Sequence, residues 1–204
     1  MTAESTTAEF WDGMYRSRDQ VFSGAPNGVL VAEATGLPPG RALDVGCGEG
    51  ADARWLARRG WRVTAVDISA TALRRAAVAE APDGRLSWAR ADLTAAPPPP
   101  GAYDLVSVQY FPLRRRPDHA VLRGLLEAVA PGGTLLFATH DLAGPTACPE
   151  RGFDPGDHYR PDDIAGLLGE DWTVLVNATR PRTGPPPAGT RHTHDTVLRA
   201  LRTR

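Results

Sequence analysis

The chain has 204 residues with 23 basic and 24 acidic side chains, a formal charge of -1, so no chain-wide positive field exists to hold nucleic acid or an anionic membrane. All 23 basic residues are arginine, which excludes chemistry that needs a lysine, such as pyridoxal Schiff bases and phosphate-loop lysines. Hydrophobic residues make up 42% and charged ones 23%, and 21 Gly with 19 Pro fall short of a low-complexity composition, so one soluble globular domain is expected.

The opening MTAESTTAEF carries acid and no basic segment ahead of an apolar core, and no apolar run approaches the ~18 residues of a membrane span, so a cytoplasmic protein without membrane attachment is expected. Trp11 and Tyr15 are four apart and share a helical face with Met14, which predicts a helix within a lid segment over residues 1–38. Residues 41–140 form the core. Arg41 to Cys47 predicts strand one, and residues 51–59, with Ala51, Trp55 and Leu56 on one face, predict a helix stopped by Gly60. Trp61 to Ile68 predicts strand two. Ser69 then caps a helix whose buried face is Leu73, Ala76 and Ala77. Leu86 to Leu93 predicts strand three, the Pro97–Pro100 run is a stiff connector too short to include a full helix, and Tyr103 to Tyr110 predicts strand four. Leu122, Leu125, Leu126 and Val129 follow helical spacing, ended by Pro131-Gly132-Gly133 before strand five, Thr134 to Thr139.

Residues 141–204 supply an acceptor-side loop, 141–160, then a short helix opened by Pro161 with Ile164, Leu167 and Leu168 inward. Trp172 to Ala178 alternates as a strand, with Trp172, Val174, Val176 and Ala178 on one face, and a Pro/Gly-rich connector, 179–191, leads to a last strand, Thr193 to Leu201. No helical pattern separates these two strands, so they pair antiparallel. The whole predicts an α/β fold, a doubly wound sheet with one reversed strand.

Between strand one and its helix lies Asp44-Val45-Gly46-Cys47-Gly48-Glu49-Gly50, a turn whose missing side chains admit a ligand to the backbone. With Ala51 it satisfies G-x-G-x-x-A, so the glycines alone leave a nicotinamide dinucleotide open. Three acids at the carboxyl edge sharpen the choice: Asp44, Asp67 (21 residues after Gly46) and Asp92. A ligand with an ammonium group, a ribose diol and an adenine amine, and no phosphate, suits acceptors of this kind. That describes S-adenosylmethionine. A pyrophosphate beside Asp44 would meet repulsion.

ALDVGCGEG (42–50), VTAVDIS (63–69), ADL (91–93), YDLV (103–106) and LLEAVAPGGTLLF (125–137) resemble, in order and spacing, the class I S-adenosylmethionine-dependent methyltransferases. FWDGMYRSRDQVFSGAPN (10–27) is similar to the small bacterial branch that contains tellurite-resistance and thiopurine methyltransferases. The resemblance implies a seven-stranded Rossmann-like sheet of order 3-2-1-4-5-7-6 with strand seven antiparallel. It also implies methyl transfer to a small-molecule acceptor by in-line displacement, with S-adenosylhomocysteine as product. By position, Gly46, Cys47, Gly48 and Gly50 would line the methionine end and Asp67 the ribose. Ile68 and Ser69 would flank the adenine face, and Asp92 with Leu93 its edge. Gln109 and Tyr110 would lie beneath the sulfonium, where an aromatic ring attracts a cation.

Deprotonation is needed only for an acceptor that arrives protonated, and His140, just past strand five, is the candidate base. His158 and Tyr159 lie in the long loop, and solvated roles are expected for His158, His119 and Arg114 to Arg116. Cys47 and Cys148 lack CxxC spacing, and His192 with His194 lack further ligands, so no metal site is expected. Strand four ends Gln109-Tyr110-Phe111-Pro112, unlike the N-P-P-Y or D-P-P-Y of base-amine methyltransferases, so nucleic acid is not the expected partner. A monomer or homodimer is expected. The rivals are an NAD(P)-linked oxidoreductase and a catalytically silent donor-binding module.

Overall fold

In the computed structural model, residues 7–78, 84–141, 154–183 and 193–204 are described. Two short helices lead, α1 (Ala8–Arg16) and α2 (Gly28–Ala34), followed by β1 (Arg41–Val45), α3 (Ala51–Arg58), β2 (Arg62–Asp67), α4 (Ala70–Val78) and β3 (Leu86–Arg90). Then come β4 (Tyr103–Gln109), α5 (Ala120–Ala128), β5 (Val129–His140), α6 (Pro161–Leu167), β6 (Trp172–Pro181) and β7 (His194–Arg202). The seven strands form one sheet of order β3-β2-β1-β4-β5-β7-β6, with β7 antiparallel to both neighbours, the order that the family resemblance implies. No helix among the described residues is long and apolar enough to cross a membrane.

Central parallel strands are covered on both faces, which is why their apolar residues run continuously. One face packs Leu43, Val45, Val106, Val108 and Phe137 against Leu122 and Leu125 of α5 and Ile164 of α6. The other packs Ala42, Ala65, Leu105, Leu136, Ala138 and Val197 against Val29 and Leu30 of α2 and Leu56 of α3. Alternation along the strands gives Asp44, Asp67, Ser107, Gln109, His140 and Asp195 the parity of this second face, at the carboxyl end. The apolar face turns polar where the strands stop.

Four local expectations need correction. Val129 opens β5 rather than closing α5, because it pairs with Tyr103, and the strand runs through Pro131 to Gly133 by a register shift. The buried face of α4 is Thr71, Ala72 and Ala76, leaving Leu73 half-buried and Ala77 exposed. Leu167 is exposed on α6, where the inward residues are Pro161 and Ile164. Val174 is exposed because β6 is an edge strand with a bulge between Val174 and Val176.

Candidate functional site

The glycine turn is compressed against aromatic side chains. Gly46 (φ +66) places an ideal Cβ 2.5 Å from the Phe111 ring, and Gly48 (φ +53) places one 2.8 Å from the Tyr15 hydroxyl, so backbone conformation and space both demand glycine. Gly50 (φ +81) opens α3 under Trp88 of β3. The Asp67 carboxylate stitches this turn to α4: Oδ2 accepts from Gly48 N–H at 2.9 Å and Oδ1 from Ser69 N–H at 2.8 Å. Burial raises its carboxyl above the ordinary range, against the pull of these backbone donors. Ser69 caps α4 as expected, accepting from Ala72 N–H at 3.1 Å.

Asp44 is 1% exposed, and its Oδ2 has no hydrogen-bond partner among the described residues. Burial drives its carboxyl well up, the charges of Asp52 and Asp67 add to this, and Ala53 N–H opposes it. Gln109 lies two residues beyond Ser107, the β4 partner of Asp44, and is also buried. Its Nε2 donates to Ser107 Oγ at 3.2 Å, leaving Oε1 unpartnered among the described residues. Two orphaned acceptors thus share one face beside the turn. Buried acceptors left without donors are costly, and a ligand ammonium, which only donates, suits groups of this kind. The residues present therefore fit S-adenosylmethionine. Burial also raises the Cys47 thiol, which keeps it protonated and argues against a nucleophilic role.

Past the end of β3 lies a cavity of about 520 Å³ whose walls include Thr7, Ile68, Arg90, Asp92, Thr94 and Arg116. Asp92 is exposed there and accepts from Thr94 N–H at 2.9 Å and the Thr94 hydroxyl at 2.6 Å, which holds its carboxyl below the ordinary range. Leu93 packs on the core beside it. Asp44 and Asp67 are therefore buried beside the turn, whereas Asp92 is exposed.

The N-terminal segment closes over this edge through carboxylates that sequence reading missed. Asp12 of α1 accepts from Ser69 Oγ at 2.6 Å and Thr71 N–H at 2.9 Å, docking α1 on the head of α4. Glu49 accepts from the N–H groups of Val21 (3.2 Å) and Phe22 (3.1 Å) and pairs with Arg75 at 3.0 Å. Asp52 takes both Asn27 N–H and Asn27 Nδ2 at 2.7 Å. Tyr15 is buried with its hydroxyl over Gly48, whereas Trp11 is half-buried against Phe10. Burial raises the Tyr15 phenol, keeping it neutral.

At the β4 and β5 ends a second cluster forms. Tyr110 has φ +53, an unusual conformation for a residue with a Cβ, and its ring stacks on His140 at 4.4 Å with the Arg182 guanidinium 5.2 Å from the ring centre. These two neighbours occupy the ring expected beside a sulfonium. Arg182 Nη1 also donates to His140 Nδ1 at 2.8 Å and to Asp195 Oδ1 at 2.9 Å. Arg182 and Asp195 carried no motif in the sequence.

The other expected loop residues turn inward. His158 and Tyr159 are buried, His158 bonding the Asp154 carbonyl at 2.9 Å and Tyr159 meeting His119. Arg114 pairs with Asp157 at 3.0 Å and Arg115 with Asp163, so this run pins the loop, while Arg115 and Arg116 stay exposed and Arg116 lines the cavity past β3. Cys148 and His192 lie outside the described residues. Among the described residues no cluster of metal ligands occurs.

A family model described as a methyltransferase domain matches residues 42–133. The chain is 42% identical over 106 residues, half of its length, to 2-methyl-6-phytyl-1,4-hydroquinone methyltransferase of Synechocystis sp., covering 33% of that protein. It is 33% identical over 141 residues, 67% of its length, to ubiquinone biosynthesis O-methyltransferase of Vibrio cholerae, covering 57% of it. The chain thus spans a third to somewhat over a half of these curated relatives. A solved structure titled for conversion of a disulfide bond into a thioacetal group during echinomycin biosynthesis superposes with a TM-score of 0.72 at 26% identity, covering 96% of this chain and 92% of that one. The narrower likeness of residues 10–27 to the tellurite-resistance and thiopurine branch draws no support from these relatives.

Proposed function

We propose that the chain is a class I S-adenosylmethionine-dependent methyltransferase that transfers a methyl group to a small-molecule nucleophile. The observation that carries this reading is the buried, unpartnered Asp44 oxygen beside the glycine turn. An ammonium bound there turns a costly orphan into a charge-assisted hydrogen bond, a contribution of about 1.5 to 3 kcal/mol. Gln109 Oε1 adds a second acceptor. The backbone of Gly46, Cys47, Gly48 and Gly50 borders the methionine end and Asp67 receives the ribose hydroxyls. Ile68 and Ser69 flank the adenine, and Asp92 and Leu93 edge it.

Bound S-adenosylmethionine supplies an electrophilic methyl carbon on a sulfonium. The chain's own work is then alignment and exclusion of water, and alignment alone is worth about 7 to 11 kcal/mol. Trp11 and Tyr15 serve exclusion, because Asp12 and Glu49 hold their segment against the edge. The acceptor is assigned to the side of Tyr110 and His140. A small acceptor accords with the near-neutral charge and with relatives named for a hydroquinone and for ubiquinone biosynthesis. A cytoplasmic setting belongs to the same proposal.

The test is calorimetric titration of the purified chain with S-adenosylhomocysteine and, separately, NADH, followed by labelled methyl transfer to a panel of small thiols, phenols and amines. Binding of the homocysteine compound alone, with label on one acceptor class, is expected. Binding of NADH in its place would overturn the reading.

A further inference from the structure

At the amino end of the sheet, away from the glycine turn, three cations stand in a row. Arg41 of β1 is the register partner of Arg62 of β2, and Val63 N–H donates to the carbonyl of Arg85, the residue before β3, at 2.7 Å. Arg41, Arg62 and Arg85 therefore lie across three neighbouring strands spaced about 4.8 Å apart. Like charges placed side by side in this way repel. Arg41 has Asp104 of β4 at 3.7 Å from its Nε, and Arg85 donates to the Gly60 carbonyl at 3.0 Å. Among the described residues the Arg62 side chain has no partner.

The row is accessible because one side of the sheet is uncovered there. α3 packs Ala53, Leu56 and Ala57 on the side of β2 and β3 that holds Val63, Ala65 and Leu86. A parallel sheet is ordinarily covered on both faces, but the connection from β3 to β4 contains no helix. The opposite side is left open at this end, and alternation places Arg62, Thr64 and Ser87 on it; Arg62 and Ser87 are exposed and Thr64 is half-buried. A recess of about 270 Å³ forms here, with walls that include Arg41, Arg62 and Arg85 and the hydroxyl-bearing Thr64, Ser87 and Tyr103. None of these three hydroxyls has a hydrogen-bond partner among the described residues.

We propose that this recess binds a phosphate group, carried by inorganic phosphate or by a small phosphorylated molecule. A phosphate brings roughly -1.5 to -2 charge at neutral pH and three acceptor oxygens, so it can meet three guanidinium forks and the hydroxyls between them. A carboxylate, with one charge and two oxygens, is matched by a single arginine. The bound anion offsets the repulsion within the row. The chain's charge of -1 keeps the positive field local, which suits a small anion rather than a nucleic-acid strand. β2 carries Arg62 at its start and Asp67 at its end, about 16 Å apart, so the recess is separate from the glycine turn and the inference is independent of the methyltransferase reading.

The experiment is calorimetric titration of the chain with inorganic phosphate and, separately, with glucose 6-phosphate, the ionic strength held constant with chloride. Saturable binding of at least one is expected, and the tighter of the two identifies the source of the phosphate. Arg62→Gln is expected to weaken it by about tenfold or more. Arg123→Gln, which removes the same charge from an exposed position on α5, should leave it within about twofold. Because Arg62→Gln also relieves the row, its unfolding midpoint without phosphate should equal or exceed that of the wild type, and the upward shift that phosphate gives the wild type should be lost. Absence of saturable binding, equal weakening in the two variants, or a lower midpoint for Arg62→Gln in phosphate-free buffer would overturn the site. Tighter binding of a single-stranded RNA oligonucleotide than of either phosphate would overturn the assignment to a small anion.

Discussion

Asp44 works against the fold at the place proposed for the ligand's ammonium. Its carboxyl is raised by burial and by two neighbouring acids, so burying it in the ionised form costs folding free energy. For an acid raised in this way, folding stability falls as pH climbs from the ordinary carboxylate value through the raised one. Asp44→Asn removes that burden, and a gain of about 1 to 3 kcal/mol in urea unfolding at pH 7 is expected. The same change removes the anion from the ammonium site, so the dissociation constant for S-adenosylhomocysteine should rise by about 10- to 100-fold. Loss of stability together with unchanged affinity would sink this account. Gly48 carries the opposite lesson. Gly48→Ala forces a Cβ at φ +53 to within 2.8 Å of the Tyr15 hydroxyl, with an expected loss of about 1 to 2 kcal/mol. Adding Tyr15→Phe removes the clash and not the backbone strain, so the double variant should recover only part of the unfolding midpoint.

At the scale of elements, α1 and the chain leading to α2 are tied to the sheet edge by the carboxylates of Asp12, Glu49 and Asp52, in addition to the buried ring of Tyr15. Glu49→Gln loses charge toward Val21, Phe22 and Arg75 at once, and faster hydrogen exchange at the Val21 and Phe22 amides is expected, with several-fold faster release of S-adenosylhomocysteine. Unaltered exchange at those amides would remove Glu49 from the latch. Asp12 is held below the ordinary range chiefly by the Ser69 hydroxyl, so its share of the latch is complete above the ordinary carboxylate value and is lost as pH falls through the lower folded one. The sequence made the sheet legible, because periodicity and glycine turns are local signals: Gly46 to Gly50, Asp67 and the capping Ser69 were found that way. Docking of distant segments leaves no such trace. No local pattern marks the contacts of Asp12 and Glu49, and Arg182 and Asp195 meet only because β6 and β7 pair. Val129 misled for a related reason: its helical spacing from Leu122 and Leu125 is real, but the pairing of Val129 with Tyr103 overrode it.

For the molecule as a whole, the β6–β7 hairpin closes the sheet and carries Arg182 and Asp195 to the working edge, so its attachment decides whether that edge stays assembled. Glu33 of α2 provides the attachment: its buried carboxylate pairs with Arg180 of β6 at 2.5 Å and Arg199 of β7 at 3.2 Å, and Arg199 also donates to the Glu33 carbonyl at 3.2 Å. These contacts join residues 147 and 166 positions apart. Breaking a buried pair costs more than making it gains, because the surviving partner stays desolvated. Here the arginines are a quarter to a third exposed, which softens the penalty. Glu33→Gln is therefore expected to cost about 2 kcal/mol in urea unfolding. Asp44 and Gln109, the acceptors proposed for the methionine end, ride on β1 and β4, neither of which pairs with β6 or β7, so affinity for S-adenosylhomocysteine should stay within about twofold. Methyl transfer should fall further than affinity, since the hairpin supplies the partners that orient His140. An unfolding midpoint equal to wild type would show the hairpin to be held by strand pairing alone, and a matching drop in affinity would show that the donor and acceptor sides are not separable in this way.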